Sequence, residues 1–190
     1  MKHHIDISSV LRKTLSCDLY SNLVTRQTGA AVRGQIEELL ADARDSGGDA
    51  ELAVIDFSHV SIIDFSCADE VIAKLLLRYG ADDPPKEAYF VFRGVSDDHW
   101  DAIESVLERH HLALVIESDD GVQIAGALTE DERRVWGAIF RLGRADHDQI
   151  TADLADDSSR VAEALNALCH RRLAMVIDGR YVAVGSPRVR

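Results

Sequence analysis

Cysteine is scarce in this chain, and the spacing of the few cysteines excludes two kinds of protein. The 190 residues include three, Cys17, Cys67 and Cys169, which are widely separated and form no Cys-x-x-Cys pattern. Paired cysteines are typical of zinc sites and of the disulfide frameworks of small secreted domains. The histidine pairs His3-His4 and His110-His111 also lack the spacing of metal ligands. We therefore expect reduced thiols, no metal and no cofactor.

Long apolar runs are absent as well. No stretch approaches the roughly 20 apolar residues that a membrane-spanning helix needs. The first residues, Met1 to Asp6, lack the apolar segment of a secretion signal. The 46% hydrophobic content is nevertheless ample for a packed core. These features predict a cytoplasmic protein without membrane contact.

Basic residues are in short supply over the first two thirds of the chain. Residues 1–126 contain 11 Lys and Arg against 23 Asp and Glu, a net charge of −12, whereas residues 127–190 contain 10 of each. A strongly acidic surface repels the phosphates of nucleic acid. Any role in DNA binding is therefore expected to belong to residues 127–190.

Apolar runs and helical patterns alternate over residues 1–126. This alternation predicts an α/β fold with a mixed or mainly parallel sheet and packed helices. The pattern predicts strands at 5–7, 19–25, 52–56, 88–92, 112–117 and 122–125, and helices at 28–44, 65–79 and 97–109. Residues 8–27 otherwise carry no clear signal. The turn Ser118-Asp-Asp-Gly121 predicts a hairpin between the last two strands.

Residues 127–190 have the layout of a winged helix-turn-helix. Thr129-x-x-Glu132 and Asp146-x-x-Gln149 have the form of capping boxes before two helices, and Asp157 is placed to start a third. Strands predicted at 173–177 and 181–184 flank Asp178-Gly179, a strong hairpin signal. Three helices followed by a hairpin predict a small winged-helix domain. We place the domain boundary between residues 126 and 127.

Between the predicted strand at 52–56 and the helix at 65–79 lies a segment with four polar residues near the helix start. They are Asp64, Ser66, Asp69 and Glu70. We call residues 64–70 the polar turn. Turns between a strand and a helix N-terminus are common ligand and regulatory positions in α/β proteins. The sequence therefore predicts that the polar turn is the binding surface of the first domain.

The stretch Ile55-Asp-Phe-Ser-His-Val-Ser-Ile-Ile-Asp64, with Ser66, resembles the core of STAS domains, the bacterial anti-sigma factor antagonist family. The resemblance covers roughly residues 15–126. Phe65 and Cys67 stand where the family usually has Ser and Gly, and Ala68-Asp69-Glu70 resembles a divergent group whose helix opens with Ala-Asp-Glu. The resemblance implies a STAS-like fold, a phosphoacceptor at Ser66, and a partner that is a histidine-kinase-like ATPase or an anti-sigma factor.

Three residues of the polar turn, Ser66, Asp69 and Glu70, each have two interpretations. Ser66 is either a phosphoacceptor, whose phosphate would add negative charge beside Asp64, or the residue whose hydroxyl caps the helix. Asp69 and Glu70 either stabilise the first helical turn through the helix dipole or bind an arginine of a partner. The sequence leaves both choices open.

The third helix of the predicted winged helix would enter the major groove if DNA is the target. The residues that would contact DNA are Ser159, Arg160, Asn166, His170 and Arg171, with Arg180 at the tip of the wing. Asp153, Asp156, Asp157 and Glu163 surround the helix start and would repel phosphate. The winged helix is therefore predicted to contact either DNA or protein.

Two patterns raise the question of catalysis. Arg26-Gln-Thr-Gly-Ala-Ala31 matches the short loop that holds the acetyl-CoA pyrophosphate in acetyltransferases, but an ordinary helix start is the favoured interpretation. Cys67 and His59 would form a thiol–imidazole pair, but the acids beside Cys67 disfavour a thiolate. No set of nucleophile, base and acid is visible.

Taken with the resemblance, these patterns predict a non-enzymatic bacterial regulatory protein. A STAS-like interaction domain (1–126) would be coupled to a winged-helix output domain (127–190) in signalling or transcription control. The alternatives are a sequence-specific DNA-binding transcription factor with an acidic sensor or dimerisation domain, and more remotely an acyl-CoA-dependent transferase. The sequence leaves open whether the chain forms a homodimer.

Overall fold

A computed structural model describes residues 2–14, 22–42 and 51–187 of the chain. Its main sheet has five strands in the order β1-β3-β5-β6-β7, of which the first four are parallel and β7 is antiparallel to β6. The strands are β1 (Lys2–Asp6), β3 (Glu51–Asp56), β5 (Ala88–Arg93), β6 (Ala113–Ser118) and β7 (Gly121–Gly126). A short parallel pair, β2 (Asn22–Leu23) and β4 (Ile62–Ile63), lies outside this sheet. The predicted α/β class with a mainly parallel sheet is confirmed.

The helices described among residues 2–14, 22–42 and 51–126 cover one face of the main sheet. They are α1 (Ile7–Thr14), α2 (Arg26–Asp42), a helical run over residues 65–79, and α5 (Asp97–His110). The run is α3 (Phe65–Ala68), a π-helical stretch (Asp69–Ala73) and α4 (Lys74–Tyr79). Strand residues that point to this face, such as Ile55, Phe90 and Phe92, pack in one core with these helices.

The opposite face of the sheet is covered by residues from the C-terminal third of the chain. Leu52, Val54, Tyr89, Val91 and Val115 point to this face because side chains alternate along a strand. They share a second core with α6 (Glu130–Leu142), α7 (His147–Leu154), α8 (Ser158–His170) and the hairpin of β8 (Ala174–Ile177) and β9 (Arg180–Ala183). Because both faces are covered, all six residues of β3 are buried.

Local sequence signals account for most of the C-terminal elements. Thr129 and Glu132 form the predicted capping box at α6, as Asp146 and Gln149 do at α7. Asp157 caps α8 by accepting hydrogen bonds from two backbone N–H groups. The hairpins at residues 118–121 and 177–180 also agree with the predicted turns.

The N-terminal elements differ from the prediction. Strand β1 ends at Asp6, and helix α1 begins at Ile7, where the sequence had indicated the end of a strand. The Asp6 carboxylate accepts hydrogen bonds from the Ser8 N–H and from the Ser8 and Ser9 hydroxyls, which stabilises this helix start. Of the strand predicted at 19–25, the structure contains Asn22–Leu23, and residues 15–21 lie outside the described ranges.

Helix α2 begins two residues earlier than predicted. Thr25 accepts a hydrogen bond from the Thr28 N–H at 3.1 Å, so the helix begins at Arg26. The predicted end at residue 44 and the turn at 46–48 fall in residues 43–50, outside the described part of the chain. Within the described ranges, no helix is both long and apolar enough to cross a membrane.

Candidate functional site

The polar turn begins with a fixed helix cap at Asp64. Its carboxylate accepts hydrogen bonds from the Cys67 N–H at 2.8 Å and from the Ser66 hydroxyl at 2.9 Å. Asp64 has the extended backbone of an N-cap residue. The interpretation of Ser66 as the capping residue is therefore wrong, because Asp64 is the cap and Ser66 is a donor to it. The Ser66 side chain is half-buried.

Asp69 and Glu70 lie one turn further on, in the π-helical stretch, and both are buried. Asp69 is 2.7 Å from the His110 imidazole and 3.2 Å from Arg26 Nη1. The same Arg26 nitrogen donates to Glu70 at 2.9 Å. The structure thus brings Asp69 and Glu70 together around arginines of the same chain, beside the cap that holds Ser66.

Two further cations complete the network around these buried carboxylates. Arg33 Nη2 lies 3.4 Å from Glu70, and Lys74 also donates to the Glu70 carboxylate. Burial raises the pKa of Glu70, but the hydrogen bond from Lys74 and its positive charge outweigh burial, so the pKa lies below its ordinary value. The pKa of Asp69 is lowered in the same way, because hydrogen bonds from His110 and Arg26 outweigh burial. Both carboxylates are therefore ionised and paired at neutral pH.

The packing around Gly29 explains why the stretch that resembles an acyl-CoA loop contains a glycine. A Cβ on Gly29 would lie 2.9 Å from the Glu70 Cβ and 3.0 Å from the Cys67 Cα. The absence of a side chain lets α2 approach the 65–79 helical run closely. Arg26 to Ala31 are the first residues of α2, and Arg26 is directed to the buried acids. Helix packing is the observed role of this stretch.

Cys67 is a buried thiol rather than a reactive one. Its Sγ donates to the Thr25 carbonyl oxygen at 2.8 Å. Burial, and then the charge of Asp64, raise the pKa of the Cys67 thiol to about 12. His59 lies in the exposed turn after β3. The thiol is therefore protonated at neutral pH, which is unsuitable for a nucleophile.

A second polar cluster lies at the carboxyl ends of the parallel strands. Asp6, Asp56, Arg93 and Glu117 are paired in register across β1, β3, β5 and β6. We call these four residues the charged row. Arg93 donates to Asp56 through both Nε and Nη2, at 3.2 and 2.5 Å, and His4 lies 2.8 Å from the same oxygen. His4, Asp56 and Arg93 therefore form one network across β1, β3 and β5.

Ser58 fixes Asp56 from the other side. Its N–H and its hydroxyl donate to Asp56 Oδ1 at 2.9 and 2.6 Å. Burial raises the pKa of Asp56, but the hydrogen bonds from Ser58 and Arg93 outweigh it, and the pKa lies far below its ordinary value. Asp56 is therefore ionised throughout the physiological range.

An open cavity of about 650 Å³ lies beside the charged row. Gly94, with φ of 68°, allows the loop after β5 to approach Ser58, since a Cβ at this position would lie 2.3 Å from the Ser58 hydroxyl. Carboxyl ends of parallel strands are the common ligand position in α/β proteins. The lining includes Ser58, Arg93, Ser96, Glu117, Ser118 and Asp119.

Sequence reasoning missed this second cluster. Three of the four strands, β1, β3 and β5, end in a charged residue, and Glu117 is the next-to-last residue of β6, so charge near the strand ends was the available signal. Their pairing depends on strand order and register, which the amino-acid pattern alone does not supply. Among residues 2–14, 22–42 and 51–187, no three His, Cys, Asp or Glu side chains form a group that would hold a metal ion.

The residues predicted to contact DNA are not equally available. Arg160 donates from Nη2 to both oxygens of Asp131 at 2.8 Å, and its Nη1 lies 3.7 Å from Asp156. His170 lies 3.9 Å from Asp82. Ser159, Asn166 and Arg180 are exposed. The predicted DNA surface thus contains an arginine that is already paired with acids.

Arg171 connects the C-terminal helices to the sheet region. Its Nη1 donates to the buried Glu132 at 3.1 and 3.2 Å, and its Nη2 donates to the carbonyl oxygens of Ala127 and His111. The next residue, Arg172, donates to the Tyr79 carbonyl oxygen at 3.3 Å, at the end of the 65–79 helical run. The two arginines join α8 to both α5 and α4.

No protein-family model matches the chain, and no curated protein matches it. What the polar turn and the C-terminal helices do is therefore inferred below from their geometry and from the resemblance noted in the sequence.

Proposed function

We propose that the chain is a non-enzymatic bacterial regulatory protein in which a STAS-like region, residues 1–126, is coupled to a winged-helix region, residues 127–190. The observation that carries this proposal is the hydrogen bond from the half-buried Ser66 hydroxyl to the cap residue Asp64. A serine in this position is hydrogen-bonded directly to the residue that caps the helix. The partner would be a histidine-kinase-like ATPase or an anti-sigma factor, as the STAS resemblance implies.

Phosphorylation of Ser66 would change the turn through Asp64. The esterified oxygen no longer donates a hydrogen bond, and the phosphate brings nearly two negative charges to an oxygen that was 2.9 Å from a carboxylate. Repulsion would move Asp64 away from the Cys67 N–H that it caps. A lost cap costs about 1 kcal/mol, so the turn would adopt a different arrangement and present a different surface.

The buried acids support a docking role for the turn over a catalytic one. Asp69 and Glu70 are already paired with Arg26, Arg33 and Lys74, so their charges are compensated inside the chain. A catalytic carboxylate needs access to a substrate and a pKa suited to proton transfer, whereas these pKa values are lowered by ion pairs. The network instead gives the turn a rigid base.

The C-terminal region supports protein contact over DNA contact. Three helices followed by an antiparallel hairpin match the winged-helix layout. DNA affinity depends largely on cations that neutralise phosphates, and Arg160 and Arg171 are engaged with Asp131 and Glu132. The transcription-factor alternative would rely on the exposed Ser159, Asn166 and Arg180.

A comparison of four baits tests the proposal. Wild-type chain, Ser66→Ala, Ser66→Glu and the control Ser105→Glu are immobilised and exposed to lysate of the native host, and bound proteins are quantified. Ser105 is an exposed serine on α5, so its replacement adds the same charge outside the turn. We expect one partner, an ATPase or an anti-sigma factor, that wild type, Ser66→Ala and Ser105→Glu retain and Ser66→Glu loses. Equal capture by all four baits contradicts the proposal.

The two alternatives have direct tests of their own. A DNA reader would bind DNA with an affinity that falls steeply with salt and is lost on replacing Arg180 and Arg160 by alanine. An acyl-CoA-dependent transferase would be stabilised thermally by acetyl-CoA. We expect neither effect, because Arg160 is paired with Asp131 and because the space beside Gly29 is filled by the 65–79 helical run.

A further inference from the structure

The two edges of the main sheet differ in composition. Strand β1 forms one edge and has the sequence Lys-His-His-Ile-Asp, whereas β7 forms the other and has the sequence Gly-Val-Gln-Ile-Ala-Gly. Natural edge strands commonly carry charges, proline or bulges, which prevent them from pairing with another chain. Strand β7 has no charged residue and no proline over six residues. It is the edge that lacks this protection.

The backbone of β7 presents hydrogen-bonding groups to the outside of the sheet. In an antiparallel ladder, residues alternate between bonding to the neighbouring strand and pointing away from it. Ser118 pairs with Gly121 across the two-residue hairpin loop, and the Ala127 N–H donates to the Leu112 carbonyl. Residues 121, 123, 125 and 127 therefore bond to β6, and the backbone groups of residues 122, 124 and 126 point outward.

Charged residues stand at both ends of this edge. At one end Arg133 is exposed and donates from Nη2 to the Gly126 carbonyl oxygen at 2.8 Å. At the other end the hairpin loop carries the exposed Asp119 and Asp120. Within the described ranges, none of these three side chains has an ion-pair partner. A groove of about 350 Å³ also runs along β7, lined by Trp100, Glu104, Glu108, Ile124 and Arg133.

We propose that β7 pairs antiparallel with β7 of a second copy, so that the two five-stranded sheets join into one. Antiparallel pairing sets the Gly126 end of one strand against the Gly121 end of the other. Arg133 of each copy then lies beside Asp119 and Asp120 of the second copy, and this contact occurs twice about the two-fold axis. A twofold interface is self-complementary, and opposite charges at the two ends of one strand satisfy that condition. Parallel pairing would instead set like charges together.

The first test measures the mass of the full chain by light scattering and by sedimentation, from micromolar to millimolar protein. Wild type is expected to dimerise. Arg133→Glu sets like charges together at both ends and is expected to raise the dissociation constant roughly tenfold or more. The double variant Asp119→Lys with Asp120→Lys, in which Arg133 is unchanged, is expected to raise the dissociation constant by a similar factor. Combining all three substitutions restores the dimer. Arg180→Glu, the same change at an exposed arginine of β9, is the control and leaves the dimer intact.

Amide hydrogen exchange on the same samples locates the interface. The N–H groups of Val122 and Ile124 are expected to gain protection as the protein concentration rises, because they point outward and would bond to the second copy. A wild-type chain that stays monomeric overturns the proposal, as does a dimer in which these two amides exchange freely. Failure of the triple variant to restore the dimer overturns the charge pairing on which the orientation rests. None of these outcomes depends on Ser66 or on a signalling partner.

Discussion

At the residue scale, one carboxylate organises the polar turn. Asp64 holds both the Cys67 N–H and the Ser66 hydroxyl, so the helix start and the serine share a single acceptor. The proposed phosphate on Ser66 would therefore act directly on the helix cap. The neighbouring acids do not share this role, because Asp69 and Glu70 accept from basic side chains of the same chain.

Removing the cap tests the importance of Asp64 for stability. Asp64→Ala leaves the Cys67 N–H and the Ser66 hydroxyl without their acceptor, and we expect a loss of about 1 kcal/mol in the free energy of unfolding. Asp64→Asn keeps an oxygen acceptor and is expected to cost only a few tenths. Urea unfolding of the two variants measures both values. Equal stability of Asp64→Ala and wild type would show that the cap is energetically unimportant.

The charged row makes a prediction about acid pH. The pKa of Asp56 lies far below its ordinary value of 3.8, so Asp56 binds protons more readily in the unfolded chain. Its contribution to stability is complete above about pH 5 and is lost as the pH falls below 3.8 toward the folded pKa. Asp56→Asn should therefore destabilise the protein at neutral pH and flatten its stability profile between about pH 5 and pH 2.

Asp83→Asn is the matched control for that experiment. Asp83 is exposed in the loop before β5, at the opposite end of the parallel strands from the charged row. The pH dependence of stability of Asp83→Asn should follow that of wild type. Urea unfolding at a series of pH values gives all three profiles. Parallel profiles for wild type and Asp56→Asn would mean that Asp56 is not coupled to folding.

At the element scale, the close approach of α2 to the 65–79 helical run depends on one of two glycines in α2. Gly29 faces Cys67 and Glu70, whereas a Cβ on Gly34 would meet nothing within 4 Å. The two positions share a helix and differ in their surroundings. They therefore separate the effect of helix propensity from that of packing.

Replacing each glycine by alanine should shift stability in opposite directions. Gly34→Ala is expected to stabilise the protein by roughly 0.5–1 kcal/mol, since glycine is unfavourable inside a helix. Gly29→Ala is expected to destabilise it by about 1–3 kcal/mol, because its Cβ would meet the Cys67 backbone at 3.0 Å. Thermal and urea unfolding measure both effects. Stabilisation by both substitutions would contradict the described contact.

Most elements after residue 51 were predictable from local pattern. Strands with both faces buried appear as apolar runs, and the capping boxes at Thr129 and Asp146 mark helix starts directly. Helix α1 was missed because its start depends on Asp6 accepting from two serines, a signal that is weak in a short segment. The π-helical stretch has no sequence pattern of its own, and a regular helix was expected there.

The candidate site was predictable only in part. The polar turn was located by its position between a strand and a helix. The partners of Asp69 were not predicted, because Arg26 and His110 are more than forty residues away from it along the chain. The charged row was missed for the same reason, since it exists only once four strands are set in register.

At the scale of the whole molecule, the two halves share a core. Leu52, Val54, Tyr89, Val91 and Val115 pack with the C-terminal helices, so one apolar face of the sheet is buried against the C-terminal half. Arg171 and Arg172 add polar contacts across the same junction. The last carbonyl of α4, that of Tyr79, accepts a hydrogen bond from Arg172 and so joins α4 to the segment that follows α8.

A shared core predicts that the halves unfold together. The chain has two tryptophans, Trp100 on α5 and Trp136 on α6, so each half carries one fluorescent probe. In Trp136→Phe and in Trp100→Phe, the urea transition of the remaining tryptophan should coincide with that of the far-ultraviolet circular dichroism. A tryptophan transition separated from the dichroism transition in either variant would show that the halves unfold independently.

The proposed regulatory role of the polar turn is tested most directly by looking for phosphorylation of Ser66. The purified chain is incubated with ATP and lysate of the native host, recovered, and analysed by intact mass and by fragment mass spectrometry. We predict the addition of one phosphate, located on Ser66 and absent from Ser66→Ala, whereas Ser105→Ala is modified like wild type. A chain that gains no phosphate, or gains it elsewhere while Ser66 stays unmodified, would contradict a phosphoswitch at this turn.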